Sequence, residues 1–245
     1  MSAAIALDGI SLALGGEPVL SAVSLAVAEG EVVALLGPSG SGKTSLLRLV
    51  LGFVAPASGA VRLHGSVVSQ AGRIMVPPEE RRLAVVFQDL ALWPHLTVEG
   101  NLAFGLAARG VPRAERASRV DAMLRRVGLE GSGRRFPGEL SGGQRQRVAI
   151  ARALVQEPRA VLLDEPLSNV DVELRRELLG LFGELFRERG ATVLYVTHDL
   201  REAAAMAGRV AILEAGRVVQ EGSLGDLRGA PATPFVRALV ADYAT

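Results

Sequence analysis

The chain has 245 residues, of which 49% are hydrophobic, and its 27 basic and 26 acidic side chains leave a formal net charge of +1 at pH 7. This length and hydrophobic content suffice for one sizeable α/β domain, or for one domain that carries an inserted lobe. The near-neutral charge argues against a general affinity for nucleic acid, and the absence of cysteine excludes disulfides, thiol chemistry and cysteine metal sites.

The first part of the chain has the pattern of β-strands. Polarity alternates roughly over residues 5–27, which predicts strands with one face in water. Shorter apolar segments bounded by turn residues predict four further strands. These strands are Val32–Leu36, Val61–Leu63, Val67–Val68 and Leu83–Phe87, the last of which ends at Gln88.

From Asp89 to about Leu154 the pattern is helical, with Ser141 as the predicted N-cap of one helix. Afterwards strands and helices alternate, and Val161–Leu163 and Val193–Val196 have the continuous hydrophobicity of buried parallel strands. The order predicts an α/β fold with a mostly parallel sheet and an inserted helical lobe. No apolar run reaches the ~18–20 residues that cross a bilayer, so we expect a soluble cytoplasmic chain.

The most informative stretch follows the strand Val32–Leu36 and precedes a predicted helix; it reads Gly37-Pro38-Ser39-Gly40-Ser41-Gly42-Lys43-Thr44. A strand, a glycine-rich loop and a helix in this order are what a phosphate-binding P-loop requires. Successive backbone N–H groups would point at phosphate oxygens, and the following helix would add free donors. Lys43 would contact the β- and γ-phosphates, while the hydroxyl of Thr44 or Ser45 would bind Mg²⁺. The sequence therefore predicts a nucleoside triphosphate site in preference to a plain Gly/Ser turn.

Polar residues at other strand ends extend this predicted site. Asp164 follows a buried strand and would hold the Mg²⁺ shell, while Glu165 beside it would act as general base toward water. Gln88 would bind the metal or position water, and His198 would hydrogen-bond the γ-phosphate. For each of the four, the alternative is an ordinary capping or loop residue.

A second phosphate-binding arrangement is predicted at Leu140-Ser141-Gly142-Gly143-Gln144, where a hydroxyl and two glycines open a helix. One chain rarely needs two such sites for one nucleotide. A head-to-tail dimer would explain the surplus, because each nucleotide would then lie between the P-loop of one subunit and this segment of the other. The alternative is a flexible glycine loop before a basic helix.

Over about residues 3–225 the chain resembles the ATP-binding subunits of ABC transporters. The P-loop is similar to the Walker A motif of that family, and the second glycine segment is similar to its LSGGQ signature. The other matching motifs are Val161–Glu165 (Walker B), Gln88 (Q-loop), Ser168-Asn169-Val170-Asp171 (D-loop) and His198 (switch histidine).

The resemblance implies one ABC ATPase domain over residues 1–245. Its P-loop core would comprise about 1–88 and 156–225, with an N-terminal antiparallel β subdomain; its helical subdomain would comprise about 89–155, and a short helical tail 226–245. The implied ligands are ATP and Mg²⁺. The implied catalytic residues are Glu165, His198, Lys43 and Gln88; Thr44, Gln88 and Asp164 would surround Mg²⁺, and Ser141, Gly143 and Gln144 would act across the dimer.

The resemblance also implies partners and a location. Closure of a dimer, formed by two copies or by a pair of ATPase subunits, would drive transmembrane permease subunits that meet the helical lobe. A solute-binding protein would take part indirectly and nucleic acid would not. The chain would lie peripherally at the cytoplasmic face of the cell membrane.

Four segments resemble the import branch that serves sugars, polyamines, ferric iron, sulfate, molybdate and thiamine. These segments are Pro77–Arg82, Val86–Gln88, Pro94–Val98 and Val196–Asp199. The alternatives are an ABC ATPase coupled to export and a non-transport P-loop protein, such as a kinase or a repair or translation ATPase. The sequence does not identify the cargo.

Three positions depart from the pattern of that branch. Leu14 occupies the place where an aromatic ring usually stacks on adenine, so weaker adenine binding is expected. Gly100 is inserted between Glu99 and Asn101, where it would loosen a helix start that faces the permease. The sequence stops at Thr245, so no C-terminal regulatory domain, and no inhibition through one, is expected.

Overall fold

The structure is a computed structural model that describes residues 3–168 and 170–243. Its strands are β1 (Ala3–Leu14), β2 (Glu17–Ala28), β3 (Val32–Leu36), β4 (Ser58–Leu63), β5 (Ser66–Gln70), β6 (Arg73–Ile74), β7 (Leu83–Val86), β8 (Ala160–Asp164), β9 (Val193–Thr197), β10 (Arg209–Glu214) and β11 (Arg217–Gly222). Its α-helices are α1 (Lys43–Leu51), α2 (Val98–Ala108), α3 (Arg113–Arg126), α4 (Gly142–Leu154), α5 (Val172–Arg189), α6 (Leu200–Met206), α7 (Leu224–Gly229) and α8 (Pro234–Tyr243). Short 3₁₀ turns lie at Pro78–Glu80 and Pro137–Glu139.

The N-terminal strands form a five-stranded antiparallel sheet in the order β2-β1-β4-β5-β6. The polarity alternation predicted for this region is present in β1, where Ile5, Leu7 and Ile10 are buried and Asp8 is exposed. The buried face packs against α1 and the second sheet. An antiparallel sheet with one face in water is stabilised by burying its apolar face in this way.

The second sheet has six strands in the order β11-β10-β3-β9-β8-β7, and those from β10 to β7 are mutually parallel. This confirms the predicted mostly parallel sheet. Leu36 pairs with Thr197, and Asp164 pairs with Val196, so the strands end at the same level. The segments that follow β3, β8 and β9 therefore meet at the carboxyl edge of the sheet.

Both faces of the parallel sheet are covered. In β3, Val33 and Leu35 join the cluster under the antiparallel sheet and α1, whereas Ala34 and Leu36 join a cluster with α6, α7 and α8. A third cluster contains buried residues of α2, α3, α4 and α5 together with strands β7 to β9. Because β3 is buried on both sides, it is a rigid platform for the loop that follows it.

The helical lobe consists of α2, α3 and α4, and it is joined to β7 by the segment 87–97. Ser141 is the N-cap of α4, as predicted. Helix α6 and strand β6 were not predicted, because elements of seven and two residues are too short to show periodicity. Helix α7 begins two residues before the helical tail predicted over 226–245. Over residues 3–168 and 170–243, no helix is both long and apolar enough to cross a membrane.

Candidate functional site

The loop from Gly37 to Gly42 connects β3 to α1, and its glycines have specific geometric tasks. A side chain on Gly37 would place its Cβ 2.0 Å from the carbonyl oxygen of Leu213, so only glycine fits. Gly40 and Gly42 have φ values of +79° and +105°, in the left-handed region that glycine adopts without strain. Gly42 is also the N-cap of α1 and provides no side-chain acceptor, so no side-chain cap occupies the first N–H groups of that helix.

Lys43 is the only lysine in the sequence; the other strongly basic side chains are all arginines. Its Nζ donates hydrogen bonds to the carbonyl oxygens of Gly37 (2.8 Å) and Pro38 (3.1 Å), and its side chain is 6% exposed. Beside it, the Oγ of the buried Ser41 finds no hydrogen-bond partner within the described part of the chain. The Lys43 ammonium therefore lies against the loop, where it would bind phosphate together with the backbone N–H groups.

The remaining residues of the predicted loop differ in exposure. Pro38, Ser39, Gly40 and Thr44 are exposed and Ser45 is half-buried. The tip of the loop and the first turn of α1 thus open toward solvent, which leaves access for a triphosphate chain.

The Glu165 side chain contacts both the P-loop lysine and His198. Its Oε1 lies 3.6 Å from Lys43 Nζ, and its Oε2 lies 2.9 Å from Nδ1 of His198. Its backbone N–H donates to the carbonyl oxygen of Val196 on the neighbouring strand, and its φ is +46°. A left-handed conformation is costly for a residue with a Cβ, and such residues are concentrated at functional sites.

Asp164 lies beside Glu165 and accepts a hydrogen bond from Oγ1 of Thr44 at 3.4 Å. Burial raises the pKa of the Asp164 carboxyl, and the charge of Glu165 raises it further, against the opposing effects of Thr44 and Lys43. Its surroundings therefore disfavour the ionised form of this carboxyl, and a bound cation would favour that form.

Gln88 lines a cleft of about 640 Å³ that Thr44 and Asp164 also line. The structure therefore brings together the three oxygen-bearing side chains predicted to surround a metal. Mg²⁺ prefers oxygen ligands and is usually bound through one or two carboxylates plus phosphate oxygens, so this set fits it. The ion would neutralise charge on the phosphates.

The signature segment forms a regular helix start. Ser141 Oγ accepts from the N–H of Gln144 at 3.3 Å, and Gln144 Oε1 accepts from the N–H of Ser141 at 3.0 Å, which is a capping box. Gly143 is required by packing, because a Cβ there would lie 2.8 Å from Leu174. Among the described residues, no hydrogen bond joins Ser141, Gly143 or Gln144 to the P-loop.

The predicted D-loop follows Asp164 and Glu165 and leads into α5. Ser168 donates its N–H to the carbonyl oxygen of Glu165 at 3.3 Å, and Asp171 caps α5 by accepting from the N–H of Leu174 at 3.0 Å. Asn169 of the same motif lies outside the described residues.

Leu14 ends β1 and is 43% exposed, opposite Glu17 across the hairpin. The same hairpin approaches the P-loop, since a Cβ on Gly42 would lie 2.7 Å from Leu20. Gly100 lies within α2, and its N–H donates to Thr97 Oγ1, so the inserted glycine is accommodated in a capped first helical turn.

Two arginines that were not predicted from the sequence, Arg152 and Arg175, donate hydrogen bonds to backbone or side chains of the loops around the site. Arg152 of α4 donates to the carbonyl oxygens of Leu90 (2.8 Å) and Ala91 (2.6 Å), both left-handed, and its guanidinium lies 4.9 Å from the Trp93 ring. Burial lowers the pKa of Arg152 and the charge of Asp89 partly offsets this. The only sequence signal was an arginine inside the apolar run of a helix. Arg175 of α5 has a comparable role and is described below.

Comparison with known proteins gave matches over most of the chain. The family model described as ABC transporter matches residues 20–168. The spermidine/putrescine import ATP-binding protein PotA of Acidothermus cellulolyticus is 48% identical over 89% of this chain and 56% of its own length. The Fe(3+) ions import ATP-binding protein FbpC of Streptomyces coelicolor is 47% identical over 95% of this chain and 65% of its own length.

The chain thus spans less than two thirds of the length of these two relatives. Among solved structures, CbiO1 of Clostridium perfringens, part of the ABC transporter complex CbiONQ, superposes with a TM-score of 0.84 and 29% sequence identity. The match covers 94% of this chain and 92% of that protein. With a matching family model, close relatives and a common fold, the chain belongs to the ABC transporter family and has the fold of its ATP-binding subunits.

Proposed function

We propose that the chain is the ATP-binding and ATP-hydrolysing subunit of an ABC transporter that imports a solute. One observation carries the proposal: the Glu165 carboxylate lies between Lys43 of the P-loop and His198 of the next strand end, beside the buried Asp164. The side chains proposed as base, phosphate-binding cation and metal ligand lie together at one sheet edge, which supports phosphoryl transfer to water.

The side chains have separable tasks in hydrolysis. Glu165 would accept the proton of the water that attacks the γ-phosphorus, and His198 would orient that carboxylate and hydrogen-bond the γ-phosphate. Lys43 would exchange the carbonyl oxygens of Gly37 and Pro38 for β- and γ-phosphate oxygens. Thr44, Asp164 and Gln88 would hold Mg²⁺ against the same phosphates.

The position of the signature segment supports a head-to-tail dimer, which we include in the proposal. Ser141 is exposed at the N-terminus of a 13-residue helix, where free N–H groups and a hydroxyl favour an anion. Because no hydrogen bond of the described residues connects it to the P-loop of its own chain, the γ-phosphate it would bind belongs to a second subunit. Two nucleotides would then be enclosed between two subunits.

The permease contact is proposed for the side of the cleft next to the helical lobe. Leu51, Phe87 and Ala91 line this cleft together with the metal-site residues. Phe53, two residues after Leu51, and Phe104 of α2 are each about half exposed. Exposed apolar groups of this size are typical of protein contacts, so this surface suits permease subunits at the cytoplasmic face of a membrane.

Import is favoured over export by the relatives. PotA and FbpC are each described as an import ATP-binding protein, for spermidine/putrescine and for Fe(3+) ions respectively. A solute-binding protein would therefore take part indirectly, and it would determine the cargo.

The test is ATP hydrolysis by the purified chain and its Glu165→Gln variant. The variant is expected to lose at least ~10²-fold in kcat, because a general base contributes ~10²–10⁴-fold. It is also expected to form an ATP-dependent dimer by light scattering. Glu184→Gln, an exposed change on α5, serves as the matched control. Undiminished hydrolysis by Glu165→Gln would disprove the base, and a variant that remains monomeric with ATP and Mg²⁺ would disprove the dimer.

The direction of transport is tested with tagged, ATP-loaded Glu165→Gln protein added to membranes of the source organism. Recovery of a permease pair together with a solute-binding protein, identified by mass, would support import. Recovery of an exporter-type membrane protein, or of ribosomes or repair factors, would contradict it.

A further inference from the structure

We propose that Arg175 is a positioning residue that fixes the switch segment, Thr197–Asp199, to the D-loop, Ser168–Asp171. The proposal rests on the function proposed above, since the residue positioned is His198. Within the described part of the chain, the hydrogen bonds and ion pairs of Arg175 go to Val170, Asp199 and Glu202 and not to the P-loop, Asp164 or Glu165, so we assign it a positioning role.

The guanidinium of Arg175 contacts three separate segments. Its Nη2 donates to the carbonyl oxygen of Val170 in the D-loop at 2.9 Å, and its Nη1 donates to Asp199 Oδ2 in the switch segment at 3.1 Å. Its Nε lies 3.5 Å from Glu202 Oε1 of α6, without the alignment of a hydrogen bond. A planar fork that binds two loops at once restricts their relative position more than a single contact would.

Glu202 makes this arrangement rigid. It is 3% exposed, and its Oε2 accepts hydrogen bonds from Thr197 Oγ1 (2.7 Å) and Tyr195 OH (2.9 Å). Burial and the charge of Glu202 raise the pKa of Tyr195 well above its usual value, so that hydroxyl remains a donor. The switch segment is therefore attached to a buried carboxylate that Arg175 neutralises.

The charges show what Arg175 contributes. Asp199 and Glu202 bring two negative charges to one positive charge, and both lie within reach of the same guanidinium. Without it, one buried and one half-buried carboxylate would repel each other. A broken buried pair of this kind is strongly destabilising locally, because a charge is left uncompensated.

The first turn of α5 extends the connection to the signature helix. Leu174, next to Arg175, packs under Gly143 so closely that a Cβ there would be 2.8 Å away. Through Leu174 and Arg175, the first turn of α5 thus contacts the signature segment, the D-loop and the switch segment. A separate contact from α4, the hydrogen bond from Gln146 to the carbonyl oxygen of Pro166, lies just after Glu165. In the proposed dimer, a shift of the D-loop against the second subunit would move His198, and with it the Glu165 carboxylate that His198 contacts.

The experiment is a double-mutant cycle on ATP hydrolysis with Arg175→Met and His198→Ala. A displacement of about 1 Å can cost ~10² in rate, so Arg175→Met is expected to lower kcat by about 10²-fold. The KM for ATP should stay within about twofold, because the P-loop is untouched. In the His198→Ala background the same change should cost less than about threefold, because a residue that acts through His198 has nothing left to position.

Three further variants keep the test decisive. Arg176→Met, an exposed neighbour on the same helix, is the matched control and should leave kcat unchanged. Arg175→Lys retains the charge but not the fork, so partial activity is expected. Asp199→Asn removes only the charge of the switch-side acceptor, because asparagine can still cap α6, and it serves if Arg175→Met does not fold.

The outcomes that overturn the proposal are distinct from failure of the proposed function. Equal losses in both backgrounds, or no loss in either, would show that Arg175 does not act through His198. If the unmodified chain hydrolyses no ATP, the proposed function fails, and amide hydrogen exchange then tests the positioning. Arg175→Met should raise exchange in residues 167–171 and 197–201 together, with Arg176→Met unchanged; a rise in one segment alone, or in neither, would disprove it.

Discussion

The two edges of the parallel sheet use similar carboxylates in opposite ways. At the amino edge, Glu31 accepts hydrogen bonds from Nε (2.8 Å) and Nη2 (2.9 Å) of Arg209, whose Nη1 donates to Glu221 at 2.7 Å. These bonds to Arg209 lower the pKa of Glu31 despite its partial burial. At the carboxyl edge, burial and the neighbouring Glu165 raise the pKa of Asp164.

The difference lies in the positive charge available to each carboxylate. The Arg209 guanidinium binds both oxygens of the Glu31 carboxylate and also pairs with Glu221. The amino edge is therefore a structural contact that joins β3, β10 and β11. Glu165 shares one lysine and one histidine with its surroundings, and Asp164 has only a hydroxyl as hydrogen-bond donor among the described residues. Each edge has two carboxylates for one strong cation, but only at the amino edge is that cation hydrogen-bonded to both carboxylates. This difference in charged donors distinguishes a cation site from a brace.

The largest effect expected from this contrast is on catalysis. Asp164→Asn should lower Mg²⁺-dependent hydrolysis by at least ~10²-fold, since even outer-shell partners of metal ligands are worth 10–100-fold. Initial rates over a Mg²⁺ titration measure the loss. The matched change at the other edge is Glu31→Gln, for which we expect rates within twofold of the unmodified chain. Equal losses at both edges would remove the functional distinction.

A smaller effect is expected on stability, at the opposite edge. Arg209→Met should lower the free energy of unfolding by about 2–3 kcal/mol, because Glu31 and Glu221 lose their charged partner together. Urea unfolding measures the change, with kcat expected to remain within twofold. Arg217→Met, at an exposed position of β11, is the control. A fall in kcat without a fall in stability would mean that the amino edge also serves the reaction.

The smallest effect is a difference in pH dependence. Because the folded-state pKa of Asp164 is raised, its ionisation opposes folding: the cost is absent below the unfolded pKa of about 3.9 and develops as pH rises through the folded value. Asp164→Asn should therefore be more stable than the unmodified chain at pH 7.

The opposite sign is expected at the other edge. Glu31 has a lowered pKa, so its contribution is present at pH 7 and is lost as pH falls through the folded value. Urea unfolding from pH 7 down to pH 4 should show the advantage of Asp164→Asn shrinking with pH. Glu31→Gln should be less stable than the unmodified chain at pH 7, and this difference in the free energy of unfolding should also shrink at low pH, because the unmodified chain then loses the stabilisation from ionised Glu31. An advantage of Asp164→Asn that grows toward low pH would contradict the burial argument.

The sequence predicted the parts of this molecule whose chemistry is local. The P-loop needs adjacent glycines and Lys43, and Asp164 with Glu165 directly follows a buried strand, so each is visible in a few residues. The α/β class and the parallel sheet are confirmed, because continuous apolar strands have a strong pattern. The catalytic roles and the domain boundaries remain predictions, although the structure gathers Lys43, Glu165 and His198.

The braces could not be predicted, because their partners are distant in sequence. Arg209 is 178 residues from Glu31, Arg152 is 62 residues from Leu90, and Arg175 is 24 residues from Asp199. In the sequence each is one of many arginines, and most surface arginines are merely solvated. Only the fold decides which of them meet a carbonyl oxygen or a carboxylate.

Because Lys43 is the only lysine in the sequence, amine-selective reagents can label the P-loop selectively. Apart from the chain's amino terminus, the P-loop holds the only primary amine, since guanidinium groups do not react with amine-selective reagents under mild conditions. The extent of labelling on the peptide around Lys43 can be read by mass spectrometry with and without nucleotide. A change in that extent would report that phosphate has replaced the carbonyl oxygens of Gly37 and Pro38 as the partner of the ammonium. Nucleotide occupancy becomes measurable on the unaltered chain, with no engineered label.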